Sequence, residues 1–307
     1  MAVLSATYMH DEAAAFEHVE SLLWPHGPVC PHCGGVDRIT KVKANPEKRI
    51  REGLWRCGDC KKQFTVKVGT VFEASKVPLF KWLQAVTLMV SSKKGISSHQ
   101  LHRVLGITYK SAWFLTHRIR ECMRSGEFAP MGGNGGAVEV DETFIGKEPG
   151  ETPRRGVGWK MKVVTLVDRD TRQARSVVVD DLRKDTLAPI LRENIAREAR
   201  LHTDEASHYT KIGEEFAAHE IVKHRAKEYV RGEVTTNTVE GFYSIFKRGM
   251  KGVYQHCGKQ HLHRYAAEFD FRYNNRVSNG IEDVERGEIA LRGAAGKRLT
   301  YKCGPCT

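Results

Sequence analysis

Hydrophobic and polar positions change their period along the chain, and each change predicts a different kind of element. In LFKWLQAVTLMVSSK, apolar side chains fall at 79, 80, 82, 83, 86, 89 and 90, the spacing of one helical face, and Gly95 stops the run. The next stretch, SSHQLHRVLGITYKSAWFLTHRIREC, predicts a short helix at about 97–105, a turn at Gly106 and a longer helix from about 109. The period then drops to two. AVEVDETFIG alternates, with Val138 and Val140 on one face and Glu139 and Asp141 on the other, as a half-buried strand requires. MKVVTLVDRDT and ARSVVVDDL predict two more strands joined by a tight turn near Asp170 and Thr171. A helix from about Asp185 to Arg200 follows, then a short strand, RLHTDEA, ending at Asp204. A brief helix over YTKIGEEFA, a strand near HEIVKH and a long amphipathic helix in TTNTVEGFYSIFKRGM complete the main pattern.

Three antiparallel strands, helix, strand, helix, strand, helix is the order of a ribonuclease-H-like fold, although pattern alone leaves other α/β orders open. The glycines of PMGGNGGAVEV separate this region from the helical one, which sets a boundary near 130. The expected organisation is multidomain: a zinc ribbon with an amino-terminal helix over 1–75, a helix-turn-helix over 76–130, and an α/β catalytic domain over 131–307.

The ribbon is read from cysteine spacing. The chain has eight cysteines, and Cys30-Pro-His-Cys33 and Cys57-Gly-Asp-Cys60 form two short pairs separated by 23 residues. Each pair presents two thiolates from a tight turn, and two such turns close a tetrahedral site for one structural Zn²⁺. Strands are expected on either side of the second pair. His32 lies inside the first knuckle as a competing ligand, although four cysteines already fill the site. Cys303 and Cys306 form a third pair at the carboxyl end with no second pair near it, and Cys122 and Cys257 read as ordinary thiols.

Charge separates the segments further. The formal net charge is +12. Residues 1–75 carry ten basic against nine acidic side chains, whereas 76–130 carry nine against two and 223–264 nine against three. Such concentrated positive charge points to a polyanionic partner, most simply nucleic acid, and with the helix-turn-helix pattern it favours DNA. In a helix-turn-helix the second helix enters the major groove, which makes Tyr109, Lys110, Ser111 and His117 or Arg118 candidate contacts. No run approaches the roughly 18 apolar residues of a membrane span. No basic and apolar leader opens the chain, so a cytoplasmic, nucleoid-associated protein without a membrane partner is expected.

On the ribonuclease-H-like order, Asp141 sits mid-strand, Asp204 at the end of an adjacent parallel strand, and Glu240 early in a helix packed across them. Grouped carboxylates repel and raise one another's pKa unless a cation lies among them. Oxygen-only ligation with open positions suits Mg²⁺ or Mn²⁺ at a phosphodiester. Lys247 follows Glu240 by seven positions, two helical turns on the same face, and with Arg248 is placed to touch a DNA backbone. Asn237, just before the helical run, suits an N-cap. Glu139 shares a face with Asp141 and lies within reach of a supporting role. Asp168 and Asp170 flank a turn, Asp180 and Asp181 precede a helix, and Glu142 points away from Asp141; His208 and His256 lie near these motifs.

These motifs recur together in one family. The chain resembles the DDE-class transposases of bacterial insertion sequences that carry an amino-terminal zinc ribbon, prokaryotic relatives of Merlin elements. The resemblance runs nearly end to end, through WPHGPVCPHCGG, GLWRCGDCKKQFTVKVGTVFE, WLQAVTLMVSSKKGISSHQLHRVLGITYKSAW, VEVDETFIG, HTDEASHY, NTVEGFYSIFKRGMKGVY and HLHRYAAEFDFRYNNR. It implies that Asp141, Asp204 and Glu240 are the catalytic acids, with 35 residues between the second and third. Branches of the group carry Asn or His as the third residue, which keeps Asn237 as the alternative. The implied activity is cleavage at the element's ends and joining of the 3′-hydroxyl to target DNA by two-metal catalysis, in a homo-oligomer assembled on DNA. A DNA-binding regulator with a decayed catalytic domain and a nuclease without strand transfer are the competing expectations.

Overall fold

The computed structural model describes residues 3–124, 129–222 and 230–300. Cys303 and Cys306 lie outside the described residues. By packing, the chain divides into two units, one of Met1–Ser92, Ile96–Arg124 and Ile281–Thr307, the other of Lys93–Gly95 and Ser125–Gly280.

The first unit opens with α1 (Glu12–Leu23), whose first turn is capped where Asp11 Oδ1 accepts the Ala14 N–H at 2.8 Å. Three short strands follow, β1 (Ile39–Lys41), β2 (Trp55–Cys57) and β3 (Gln63–Phe64), with β2 antiparallel to both neighbours. Then come α2 (Leu79–Val90), α3 (Ser98–Leu105) and α4 (Tyr109–Met123). Ser97 caps α3 and Thr108 caps α4, while Gly106, at φ +59°, ends α3 in the left-handed conformation that a side chain resists. The short helix, glycine turn and longer helix thus fall where the polar and apolar pattern places them.

The ribbon and the helices are not separate bodies. Pro78 precedes α2 and offers no side-chain cap, so Glu12 supplies one, its two carboxylate oxygens accepting the Leu79 and Phe80 N–H groups at 2.9 and 3.2 Å. The last helix, α9 (Asp283–Arg292), also belongs here rather than with the expected 131–307 domain. Its buried Arg286 donates to the Val90 carbonyl at 3.3 Å, and Thr70 bridges to Ala295 beyond its end.

The second unit is built on a five-stranded sheet of β4 (Ala137–Ile145), β5 (Met161–Asp168), β6 (Ala174–Val179), β7 (Arg200–Asp204) and β8 (Ala218–Val222), in the order β6-β5-β4-β7-β8. The first three run antiparallel, and β7 and β8 add parallel to β4. Between and after them lie α5 (Lys184–Asn194), α6 (Ser207–Gly213), α7 (Asn237–Gly249) and α8 (Lys259–Asn274). This is the strand and helix order expected for a ribonuclease-H-like domain.

Alternation divides the strand residues between two cores. Val138 and Val140 of β4 and Val164 and Leu166 of β5 pack with Leu187, Leu191, Tyr209 and Ile212 of α5 and α6. The opposite face sends Ile145, Met161, Val163 and Val167 against Val239, Phe242, Phe246, Leu262 and Phe269 of α7 and α8. A sheet covered on both faces explains why β5 is buried at every position but Lys162. It also fixes which face Asp141 shares with α7.

Candidate active site and metal centre

The four cysteines of the two short pairs come together. Among the described residues they alone bring potential ligand atoms of three or more side chains within 4.8 Å of one another. Cys30 Sγ lies 3.7 Å from Cys60 Sγ, and Cys33 Sγ 3.6 Å from Cys57 Sγ. Four sulfurs around one Zn²⁺ at the usual bond length would sit about 3.8 Å apart. The residues therefore fit a structural zinc. His32 is exposed and stands outside the cluster. Trp24 packs edge-on against Trp55 and Phe64, and Trp55 donates its indole N–H to Glu20 at 2.8 Å, so the ribbon rests on α1 as well as on its thiols.

The second cluster lies in the α/β unit. Asp141, Asp204, Thr236, Glu240, Tyr243, Ser244 and Lys247 line one cleft of about 490 Å³. Asp141 projects from the middle of β4, Asp204 from the last position of the neighbouring β7, and Glu240 from the first turn of α7. Burial, then the nearby Glu142, Asp204 and Glu240 carboxylates, push the Asp141 carboxyl up to about 7, although the Glu142 N–H donates to its Oδ1 at 2.8 Å. Burial is the larger cause, and the neighbouring carboxylates add to it because like charges disfavour a second ionised acid. Their oxygens do not gather as tightly as the cysteine sulfurs. Spaced oxygen donors fit hard divalent cations that keep some ligands from water or phosphate.

Each acid is held by a neighbour. The Ala206 N–H donates to Asp204 Oδ1 at 3.0 Å, and the buried Thr236 hydroxyl to Glu240 Oε1 at 3.0 Å. Tyr243 donates its hydroxyl to the Asp141 carbonyl at 2.6 Å, tying α7 to β4 directly beside the cleft. Sequence reading overlooked Tyr243 and Thr236. The signal for Tyr243 was available, because it stands three residues after Glu240 and four before Lys247, on the same helical face.

The weaker acids take structural places. Asp168 Oδ1 accepts the Asp170 and Thr171 N–H groups at 2.9 Å each, forming the β5–β6 turn. Asp181 accepts from the Arg183 N–H and the Thr186 hydroxyl ahead of α5, bonds that hold its carboxyl below its ordinary pKa. Glu142 faces α6, where Tyr209 donates to it at 2.8 Å and His208 Nε2 lies 3.5 Å away. Glu139 is wholly buried. It accepts the Thr238 and Val239 N–H groups at 2.9 Å each and the Thr238 hydroxyl at 2.8 Å, while burial raises its pKa. Asn237 does not cap α7. It is the helix's first residue, is exposed, and donates its own N–H to Thr235 Oγ1 at 3.0 Å.

The basic candidates divide. Lys247 lines the cleft with its ammonium 5.7 Å from the Tyr243 ring, whereas Arg248 is exposed and donates back to the Ser244 carbonyl at 3.0 Å. Tyr109 and Lys110 are exposed at the start of α4. Arg118 is not an outward contact. It is 6% exposed, donates to the Glu73 and Leu299 carbonyls at 2.9 and 3.1 Å, and lies over the Phe114 ring. His117 is buried too. Three turns into α4 the helix has entered the core of its unit, so positive charge in the sequence there marks internal pairing.

An acidic cleft on a mixed five-stranded sheet, carried in one chain with a four-cysteine ribbon, defines the class of protein. Residues 134–274 match the ISXO2-like transposase domain, and residues 10–63 match the transposase zinc-ribbon domain. The chain belongs to the insertion-sequence transposases with an amino-terminal zinc ribbon. An uncharacterised protein in the transposable element ISH50 of Halobacterium salinarum is 27% identical over 288 residues, covering 87% of this chain and 92% of its own length. Among solved structures, the catalytic core domain of BIV integrase is 12% identical, with 44% of this chain and 82% of that chain covered and a TM-score of 0.29. The piggyBac transposase in a synaptic complex with hairpin DNA is 12% identical, with 74% of this chain and 72% of that chain covered and a TM-score of 0.33. Among the described residues no helix is long and apolar enough to cross a membrane.

Proposed function

We propose that this chain binds the ends of its own mobile element, cleaves phosphodiester bonds there and joins the freed 3′-hydroxyl to target DNA. The observation that carries the reading is the meeting of Asp141, Asp204, Glu240 and Lys247 in one cleft from three separate elements. Asp141, Asp204 and Glu240 would hold Mg²⁺ or Mn²⁺, which supplies Lewis-acid activation and charge neutralisation at the scissile phosphate. Lys247 would hold the DNA backbone beside the acids, with Arg248 on the exposed flank of the same turn. The ribbon and the pair α3–α4, read as a helix-turn-helix, would recognise the ends through Tyr109 and Lys110. The functional division would remain that of ribbon, helix-turn-helix and catalytic segments. The active form would be a homo-oligomer on nucleoid DNA.

Asp141→Asn, Asp204→Asn and Glu240→Gln test the reading on oligonucleotides carrying the element's ends. Each should lower cleavage and strand transfer on the order of 10³-fold, the equivalent of several kcal/mol of lost transition-state stabilisation. End-binding in a gel-shift assay should remain near wild type. Substantial Mg²⁺-dependent activity in Asp141→Asn or Asp204→Asn would reject the assignment. Hydrolysis of ends by the wild type with no joining of a pre-cleaved end would favour the nuclease reading.

A further inference from the structure

A fully buried carboxylate needs a physical reason, because removing it from water is costly unless charge and hydrogen bonds replace the solvent. Glu139 has such a reason, and it lies in α7 rather than in its own strand. The first N–H groups of a helix lack intrahelical acceptors, and the positive end of the helix dipole favours an anion. Thr236, the residue ahead of α7, makes no side-chain capping bond. Its hydroxyl is turned instead to Glu240 Oε1 at 3.0 Å. The capping duty falls to Glu139, whose Oε2 accepts the Thr238 and Val239 N–H groups and whose Oε1 accepts the Thr238 hydroxyl. Arg169 Nε, 3.7 Å from Oε1, adds a positive charge on the other side.

Glu139 precedes Asp141 by two residues on the same face of β4, and its strand neighbour His202 precedes Asp204 by two on β7. One carboxylate therefore links the strand that presents Asp141 to the helical turn that presents Glu240. We infer that Glu139 is a positioning residue: by capping α7 from within the sheet it fixes Glu240 opposite Asp141 and leaves Thr236 available to orient the Glu240 carboxylate. This rests on the reading of Asp141, Asp204 and Glu240 as one metal-binding set.

The test uses the full chain as Glu139→Ala, Glu139→Gln, Thr238→Val and Asp141→Asn. Hydrogen exchange is followed over 236–242 and over β5, and Mn²⁺ binding by calorimetry, with strand transfer as a third readout. Glu139→Ala should speed exchange in 236–242 while β5 stays protected. It should also weaken Mn²⁺ binding by about 10- to 100-fold, as loss of a ligand's supporting partner does. Glu139→Gln can still offer one carbonyl oxygen to both N–H groups and an amide N–H to the Thr238 hydroxyl, so it should recover most of both effects. Thr238→Val removes one bond of three, keeps the fold if Glu139→Ala does not, and should shift both readouts less in the same direction. Unchanged exchange over 236–242 and unchanged Mn²⁺ affinity in Glu139→Ala or Thr238→Val would overturn the inference. A Gln variant as impaired as Ala would do so as well. Undiminished Mn²⁺ binding by Asp141→Asn would instead overturn the metal-set reading, whatever the exchange at α7.

Discussion

The four cysteines reach one another through two tight turns 23 residues apart, while the acids of the cleft come from positions 141, 204 and 240 on two strands and a helix. Two of the cysteines, Cys30 and Cys57, are buried, and their sulfurs lie 3.7 and 3.6 Å from those of Cys60 and Cys33 respectively, the spacing of a closed tetrahedron. The acids share a cleft of about 490 Å³, and burial first, then the Glu142, Asp204 and Glu240 carboxylates, push the Asp141 carboxyl up to about 7. The difference follows from what each ligand set has to do. Four structural thiolates fill every position around one ion, so short local spacing suffices. On the proposed reading the cleft admits a phosphate and cannot close in that way, so its acids come from distant elements held by a rigid sheet.

The comparison breaks most severely at the ribbon. Cys57→Ser, or removal of metal by a chelator, should take bound zinc from about one per chain to none and unfold the ribbon, because such ligation is folding free energy. Circular dichroism and metal analysis would show it, with end-binding lost alongside. The local character of the site makes a further point testable. Loss of zinc should leave protection of β4 and β5 amides from hydrogen exchange unchanged. Collapse of that protection would show that the two sites are not independently built. Retention of folded ribbon without metal would remove the zinc assignment itself.

Legibility follows the same division. Cysteine spacing, the alternation of β4 and the bounds of α3 and α4 are local signals, and each was readable because its physical cause lies within a few residues. The meeting of the acids was readable only through the order of strands and helices, which carries topology but no distances. What escaped was non-local. Glu139 caps a helix about a hundred residues further on, and nothing near it in sequence marks that bond. Arg118 looks like a surface cation in a basic helix, yet its acceptors are carbonyls at Glu73 and Leu299. The packing of α9 with the amino-terminal unit was hidden for the same reason.

Arg118 and Lys110 sharpen the point on a single helix. Lys110→Ala should leave thermal stability unchanged and make end-binding less dependent on salt, lowering the log–log slope by about 1 if the lost contact is to phosphate. Arg118→Ala should do the reverse. It strips two carbonyls of a buried donor, at about 1–3 kcal/mol for each group left unpaired, and should lower the melting temperature without altering the salt slope of the folded fraction. A shallower slope in Arg118→Ala with undiminished stability would return Arg118 to the DNA-binding surface.

The smallest effect is expected at Asn237, the alternative third residue of the acid set. Its position in the sequence suggested an N-cap, and substitution would then cost about 1 kcal/mol. The structure removes that role, since α7 begins at Asn237 itself and Glu139 takes the orphan N–H groups of Thr238 and Val239. Asn237 is also absent from the cleft lining, where Glu240 and Lys247 both appear, and a neutral amide is a poorer ligand for a hard cation than a carboxylate. Asn237→Ser should therefore change stability by no more than about 0.5 kcal/mol, as at an exposed position without special contacts, and should retain cleavage and strand transfer close to wild type. Thermal melting and a strand-transfer assay beside Glu240→Gln decide between the two residues. An inactive Asn237→Ser paired with an active Glu240→Gln would reverse the assignment, making the exposed amide the third ligand in place of the Glu240 carboxylate.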